Sequence, residues 1–117
     1  MLSPSGGAQL PFLESAERTV ALVSTVRLDT YYEKYEVAPD VINIDVEGAE
    51  GIVLRGAPAI LRRSRPVLVV SMHPYWLPDS ESTEEILAFT FRHGYHVKDS
   101  RMMKLGPYEI GDYLLVT

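Results

Sequence analysis

Cysteine is absent from the 117 residues. This excludes disulfides, thiolate nucleophiles and cysteine-based zinc sites together, and it fits a reducing compartment, so a cytoplasmic location is expected. Cations are scarce: 11 Lys and Arg stand against 16 Asp and Glu, a net charge of −5. That balance argues against a nucleic-acid partner, because phosphate-binding faces cluster Lys and Arg. Long apolar runs are also missing. The two longest, 41–46 (interrupted by Asn43 and Asp45) and 67–70, are far too short to span a bilayer, so no membrane association is expected. The opening residues MLSPSGG have neither the basic nor the apolar region of a signal peptide. No GxGxxG, GxxxxGK[ST] or GxSxG motif occurs, which removes the common nucleotide-binding loops and the hydrolase nucleophile elbow.

With 46% hydrophobic and 23% charged residues, the chain has the composition of one globular domain with a real core. Residues 1–18 mix Gly, Pro and Ser and read as an irregular N-terminal arm. Residues 19–117 then carry the periodic segments. Thr19 to Val26 is β-branched and reads as a strand, after which Asp29 or Thr30 offers an N-cap for a short helix bearing Tyr31, Tyr32 and Tyr35. Asp40 to Val46 and Pro66 to Met72 are almost continuously apolar, as expected of parallel strands covered on both faces.

Between these two strands, Ile52 to Leu61 follows helical spacing with a break at Gly56 and Pro58, and Arg62, Arg63 and Arg65 suit the negative end of the helix dipole. The segment His73 to Pro78 is too rich in proline for a helix. Ser82 and Glu85 form a capping-box pair, and Gly94 stands at the matching C-terminal position. Tyr95 to Val97 and Tyr113 to Val116 read as closing strands, the second entered through a turn at Gly111-Asp112. The expected fold is α/β, with a mostly parallel sheet, right-handed crossovers and a closing antiparallel strand.

Ligands of open α/β sheets bind outside the carboxyl ends of the strands, and two such ends are chemically unusual here. The first is Asp45-Val46-Glu47-Gly48-Ala49-Glu50. Strand alternation puts Asp45 and Glu47 on one side, and three carboxylates within six residues suit either an oxygen-liganded cation or a general base. A simpler reading lets Glu47 and Glu50 complement a helix N-terminus. Asp45 resists that reading, because a charge ending a buried strand is costly unless it is paired or functional. The second end is Ser71-Met72-His73, where His73 is a candidate base near neutral pH or, alternatively, a hydrogen-bonded loop histidine. Tyr75 and Trp76 lie on the loop that would roof such a site. His93 and His96 read as solvent-facing.

The stretch from Val26 to Pro74 resembles the FkbM family of S-adenosylmethionine-dependent methyltransferases. The resemblance rests on Leu28-Asp29, Ile44-Asp45-Val46-Glu47-Gly48-Ala49-Glu50, Val53-Leu54-Arg55-Gly56-Ala57, Pro66 and Ser71-Met72-His73. It implies a doubly wound, Rossmann-like methyltransferase sheet and methyl transfer from S-adenosylmethionine to a hydroxyl of a small molecule or sugar. It further implies an active-site role for the acidic turn at Asp45 to Glu50. Together with the strand-end reading, Asp45, Glu47 and His73 are expected to be catalytic, with His73 or one of the two carboxylates as the base, and Glu50, Asn43, Tyr75 and Trp76 to contact substrate; no metal site is assigned. Asn43 stands where the family often has Lys, which bears on substrate contacts rather than on the fold.

The family's glycine-rich cofactor loop has no counterpart here, so the chain looks like the C-terminal half of the family domain. That expectation carries an alternative, a non-catalytic methyltransferase-like fragment whose exposed sheet edge forms a homodimer or recruits a complementing chain. A D-x-E pair also occurs in certain glycoside hydrolases, but that reading needs a barrel of about 250 residues, more than twice this length.

Overall fold

The computed structural model describes residues 19–117; the arm expected at residues 1–18 lies outside them. Four helices and four strands follow one another as α1 (Leu28–Tyr35), β1 (Val41–Ile44), α2 (Glu50–Arg55), α3 (Pro58–Arg63), β2 (Val67–Met72), α4 (Thr83–Arg92), β3 (His96–Leu105) and β4 (Tyr108–Val116). A 3-10 turn, Pro74–Trp76, links β2 to α4. The strands form one sheet in the order β1-β2-β4-β3. Only β1 and β2 run parallel, Val41 lying opposite Val67 and Ile44 opposite Val70. The other two pairings are antiparallel, which corrects the expectation of a mostly parallel sheet.

Strand alternation selects one face of this sheet for burial. Ile42, Ile44, Leu68, Val70, Met72 and Leu115 point into the core, where Leu54, Ala57, Ile60 and Leu61 from α2 and α3 and Ile86 from α4 meet them. The opposite face is more open: Val41 and Asn43 are exposed, and Val67, Val69 and Leu114 are half-buried. The expectation that β1 is covered on both faces therefore fails, because the described helices pack on one side only.

Local chemistry explains most helix ends. Ser82 Oγ accepts from the Glu85 N–H at 3.1 Å and caps α4. Gly94, at φ 89°, lets the Tyr95 and Gly94 N–H groups reach the Thr90 and Phe91 carbonyls at 3.1 and 3.0 Å, which satisfies the last orphan carbonyls of the helix. Pro58 occupies the first turn of α3 as expected. Asp29 does something the sequence did not announce. It lies inside the first turn of α1, and its two carboxylate oxygens accept from the Ala59 and Ile60 N–H groups at 2.9 and 3.0 Å. Asp29 thus caps α3, whose own N-cap residue Ala57 has no side-chain oxygen to offer.

Three further expectations are corrected. Thr19 to Val26 carries no strand; Val20, Leu22, Val23 and Val26 are exposed, with no partner strand beside them among the described residues. Strand propensity alone does not make a ladder. The closing strands are ten and nine residues long rather than short, and their hairpin turns at Gly106-Pro107, with Leu105 opposite Tyr108. Gly111 and Asp112 sit inside β4, opposite Met72 and Ser71 of β2. Tyr95, buried against the Pro66 carbonyl at 2.5 Å, anchors the start of the hairpin. Burial raises its phenol above the usual range, with Arg65 acting in the opposite direction.

The α3 cap gives a direct test. Asp29→Ala should destabilise the fold by about 1–2 kcal/mol in urea denaturation. Asp29→Asn, which keeps one acceptor oxygen and turns an NH2 toward the other N–H, should restore only part of that loss, and Thr30→Ala should stay within about 0.5 kcal/mol.

Candidate active site

Parallel pairing of β1 with β2 brings their carboxyl ends side by side, so Asp45 and His73 leave the sheet as neighbours. The chain then turns sharply. Glu47 has φ 49° and Gly48 φ 108°, which ends strand alternation at Ile44 and removes the basis for placing Asp45 and Glu47 on one side. A Cβ at Gly48 would overlap the Trp76 carbonyl oxygen. Glycine is thus required both for the backbone angle and for the close approach of the two turns.

At the centre stands Glu50, the first residue of α2, which has no exposed surface. Its Oε2 accepts from the Gly48 N–H at 2.9 Å and lies 3.4 Å from His73 Nδ1. Its Oε1 accepts from the His73 N–H at 3.3 Å. An unpartnered carboxylate could not stay buried; this one has a protein partner on each oxygen.

His73 is itself nearly buried, and its Nε2 faces Asp45 Oδ1 at 3.4 Å, with the Asp45 side chain 63% exposed. Each ring nitrogen thus has a carboxylate beside it, Glu50 at Nδ1 and Asp45 at Nε2. The arrangement is an imidazole oriented by a buried carboxylate with its Nε2 beside an exposed one, and an imidazole held in this way is a candidate acid or base.

The other expected site residues fall in different places. Glu47 and Asn43 are exposed; Asn43 lies on the open face of β1, away from the buried Ile42 and Ile44. Glu50 faces inward and holds the two turns together, an arrangement that presents no surface to a ligand. Tyr75 and Trp76 lie on the 3-10 turn directly after His73, the Trp76 ring meeting the imidazole edge-on at 6.2 Å. Tyr108, from the distant hairpin, packs on both, at 4.4 Å from Tyr75 and 4.9 Å from Trp76. Sequence reasoning missed Tyr108 because only the length and register of the hairpin bring it there. His96 is exposed as expected, whereas His93 is half-buried with Nδ1 2.9 Å from the Phe89 carbonyl.

Among the described residues no group of three or more His, Cys, Asp or Glu side chains is arranged to hold a metal ion, and no helix is long and apolar enough to cross a membrane. A cavity of about 390 Å³ opens on the helix side of the sheet, lined by Met72, Leu77, Thr83, Glu84, Glu109 and Tyr113 among others. Burial raises the Tyr113 phenol there, and Glu84 and Glu109 raise it further.

Comparison with known families gives one match: the family model described as the methyltransferase FkbM domain covers residues 2–97. No curated protein and no solved structure matches significantly.

The Gly48 contact is open to experiment. Gly48→Ala should cost about 2 kcal/mol or more in urea denaturation, and the emission of Trp76, the one tryptophan in the chain, should shift as the 3-10 turn is displaced.

Proposed function

Since the chain belongs to the FkbM methyltransferase family, we propose that it transfers a methyl group from S-adenosylmethionine to a hydroxyl of a small molecule or sugar, with His73 as the base. The observation that carries this reading is His73 between two carboxylates, one buried and one exposed, at adjacent parallel strand ends. S-adenosylmethionine supplies an electrophilic methyl on a sulfonium centre. The described residues provide no glycine-rich strand-to-helix loop for that donor: the two parallel strand ends carry the acidic turn and the His73 turn instead. They fit the acceptor side of the reaction.

On the acceptor side the division of labour follows from the contacts. Glu50 fixes the imidazole through Nδ1 and the His73 backbone. Nε2 takes the hydroxyl proton as the acceptor oxygen becomes nucleophilic, and Asp45, 3.4 Å from Nε2, compensates the charge gained by the ring. Glu47 and Asn43, both exposed nearby in sequence, are left to contact more distant parts of the acceptor.

A second reading, association with another chain, rests on a separate observation. Among the described residues β1 is hydrogen-bonded on one side only, and the exposed Val20, Leu22, Val23, Val26 and Val41 flank that part of the fold in sequence. An unpaired edge with apolar neighbours is a template for strand addition, which fits a homodimer or a complementing chain that brings the donor-binding loop.

Two measurements test these readings. Calorimetric titration should detect S-adenosylmethionine binding, and in a methyl-transfer assay His73→Ala should lower turnover roughly 10²-fold, with Asp45→Asn intermediate; undiminished turnover in His73→Ala would refute the assignment. In size-exclusion chromatography with light scattering, the 13.1 kDa chain should run as a dimer or larger. A monomer across the accessible concentration range would eliminate the association reading.

A further inference from the structure

The three aromatic rings beside His73 have no role in the proton transfer, yet they are assembled from two elements far apart in the chain. Tyr75 and Trp76 come from the 3-10 turn and Tyr108 from the first position of β4, with ring centroids 4.4 to 5.1 Å apart and tilted or edge-on to one another. Such a cluster would be ordinary core if it were buried. Instead Tyr75 is 57% exposed, and neither Trp76 nor Tyr108 is buried. Leu105, which faces Tyr108 across the hairpin, is exposed as well. The patch is therefore a partly exposed aromatic surface, of the kind that marks ligand contacts.

Its neighbours narrow the ligand. The turn that carries Asp45 and Glu47 lies directly against Trp76 through Gly48, and both acids are exposed. Ionised carboxylates only accept hydrogen bonds, so they favour a ligand with several hydroxyl donors and penalise one that would desolvate them without compensation. A flat arene satisfies the rings and leaves the acids unpaired. A linear polyol satisfies the acids and gives the rings nothing to cover. A pyranose ring meets both demands, since one of its faces presents C–H groups to an aromatic surface while its rim carries hydroxyls.

We propose that Tyr75, Trp76 and Tyr108 form a stacking platform for the sugar ring of a saccharide acceptor, whose hydroxyls are received by the acidic turn at Asp45 and Glu47. The proposal deepens the methyltransferase reading and rests on it for the acceptor's fate, although the binding it describes can be measured without any transfer.

The lone tryptophan provides the probe. Fluorescence of the full chain is titrated with methyl glucoside, methyl galactoside and methyl mannoside, and in parallel with 4-methylcatechol and sorbitol. At least one glycoside should change Trp76 emission saturably, and more tightly than either control. Tyr75→Ala and Tyr108→Ala should each weaken that binding roughly threefold to tenfold, while Tyr75→Phe and Tyr108→Phe retain it. Because Tyr75 is largely exposed, its variant should keep the wild-type unfolding midpoint even if Tyr108→Ala does not. No response to any glycoside, tighter binding of the catechol or of sorbitol, or full retention of glycoside binding in Tyr75→Ala would each overturn the platform. Glycoside binding without methyl transfer would instead count against the methyltransferase reading and leave the platform standing. Methyl transfer to a non-saccharide hydroxyl, unaffected by Tyr75→Ala, would do the reverse.

Discussion

The buried carboxylate of Glu50 is the constraint on which the site depends. A charged group with no exposed surface is tolerable only where protein donors replace the water it has lost. Gly48 and His73 supply those donors from two different turns. The same contacts dictate three features. Gly48 must hold φ 108° so that its N–H points inward, His73 must follow β2 immediately so that its backbone N–H and ring reach the same acid, and α2 must begin at Glu50. Removing one donor would leave a buried charge underpaired, which costs more than the hydrogen bond itself contributes.

The sheet supplies the geometry that this network needs. Parallel pairing in the register Ile44 opposite Val70 sets the ends of β1 and β2 at one edge of the fold. The core beneath them, Ile44, Leu54, Val70 and Met72, fixes the two strand ends and α2 as one body. Asp29 extends the same logic to α1, since its carboxylate ties that helix to the amide end of α3, and the Asp29 N–H reaches the Gly56 carbonyl between α2 and α3 at 2.9 Å. Acidic side chains thus serve twice in this fold as the partners of backbone N–H groups at turns and helix starts, which puts part of the chain's acidic excess to structural use.

How much of this was legible in the sequence depended on the range of the interaction. The Ser82 cap, the Gly94 terminus and the break at Gly56 and Pro58 are set by neighbours within a few residues and emerged as read, while the two apolar segments emerged as strands with β1 ending at Ile44 and open on one face. The acidic turn and His73 were also recognisable as strand-end chemistry, and parallel pairing explains why they meet. What escaped was non-local. Asp29 looks like a cap for its own helix and caps another; Glu50 looks like a surface acid at a helix start and points inward. Thr19 to Val26 has strand composition but no partner strand among the described residues. The ten residues of β3, HVKDSRMMKL, are exposed at nearly every position, so no apolar alternation marks them as a strand. Their ladder with β4 alone defines them, and with them the position of Tyr108.

The site that results has two parts of different character. Glu50, Gly48 and His73 are buried or nearly so and hold one another through backbone as well as side-chain atoms, so substitution of any of them disturbs the fold together with the chemistry. Asp45, Glu47, Tyr75 and Tyr108 are largely or partly open to solvent and rest on that base. On the proposed reading, a transfer that depends mainly on alignment and proton removal would need the first part to be invariant in geometry and would leave the choice of acceptor to the second. The buried group would fix where a hydroxyl must come, and the exposed rings and Glu47 would bear on which molecule brings one there. Acceptor preference would then be adjustable at Glu47, Tyr75 and Tyr108 without touching the imidazole or the carboxylates that flank it.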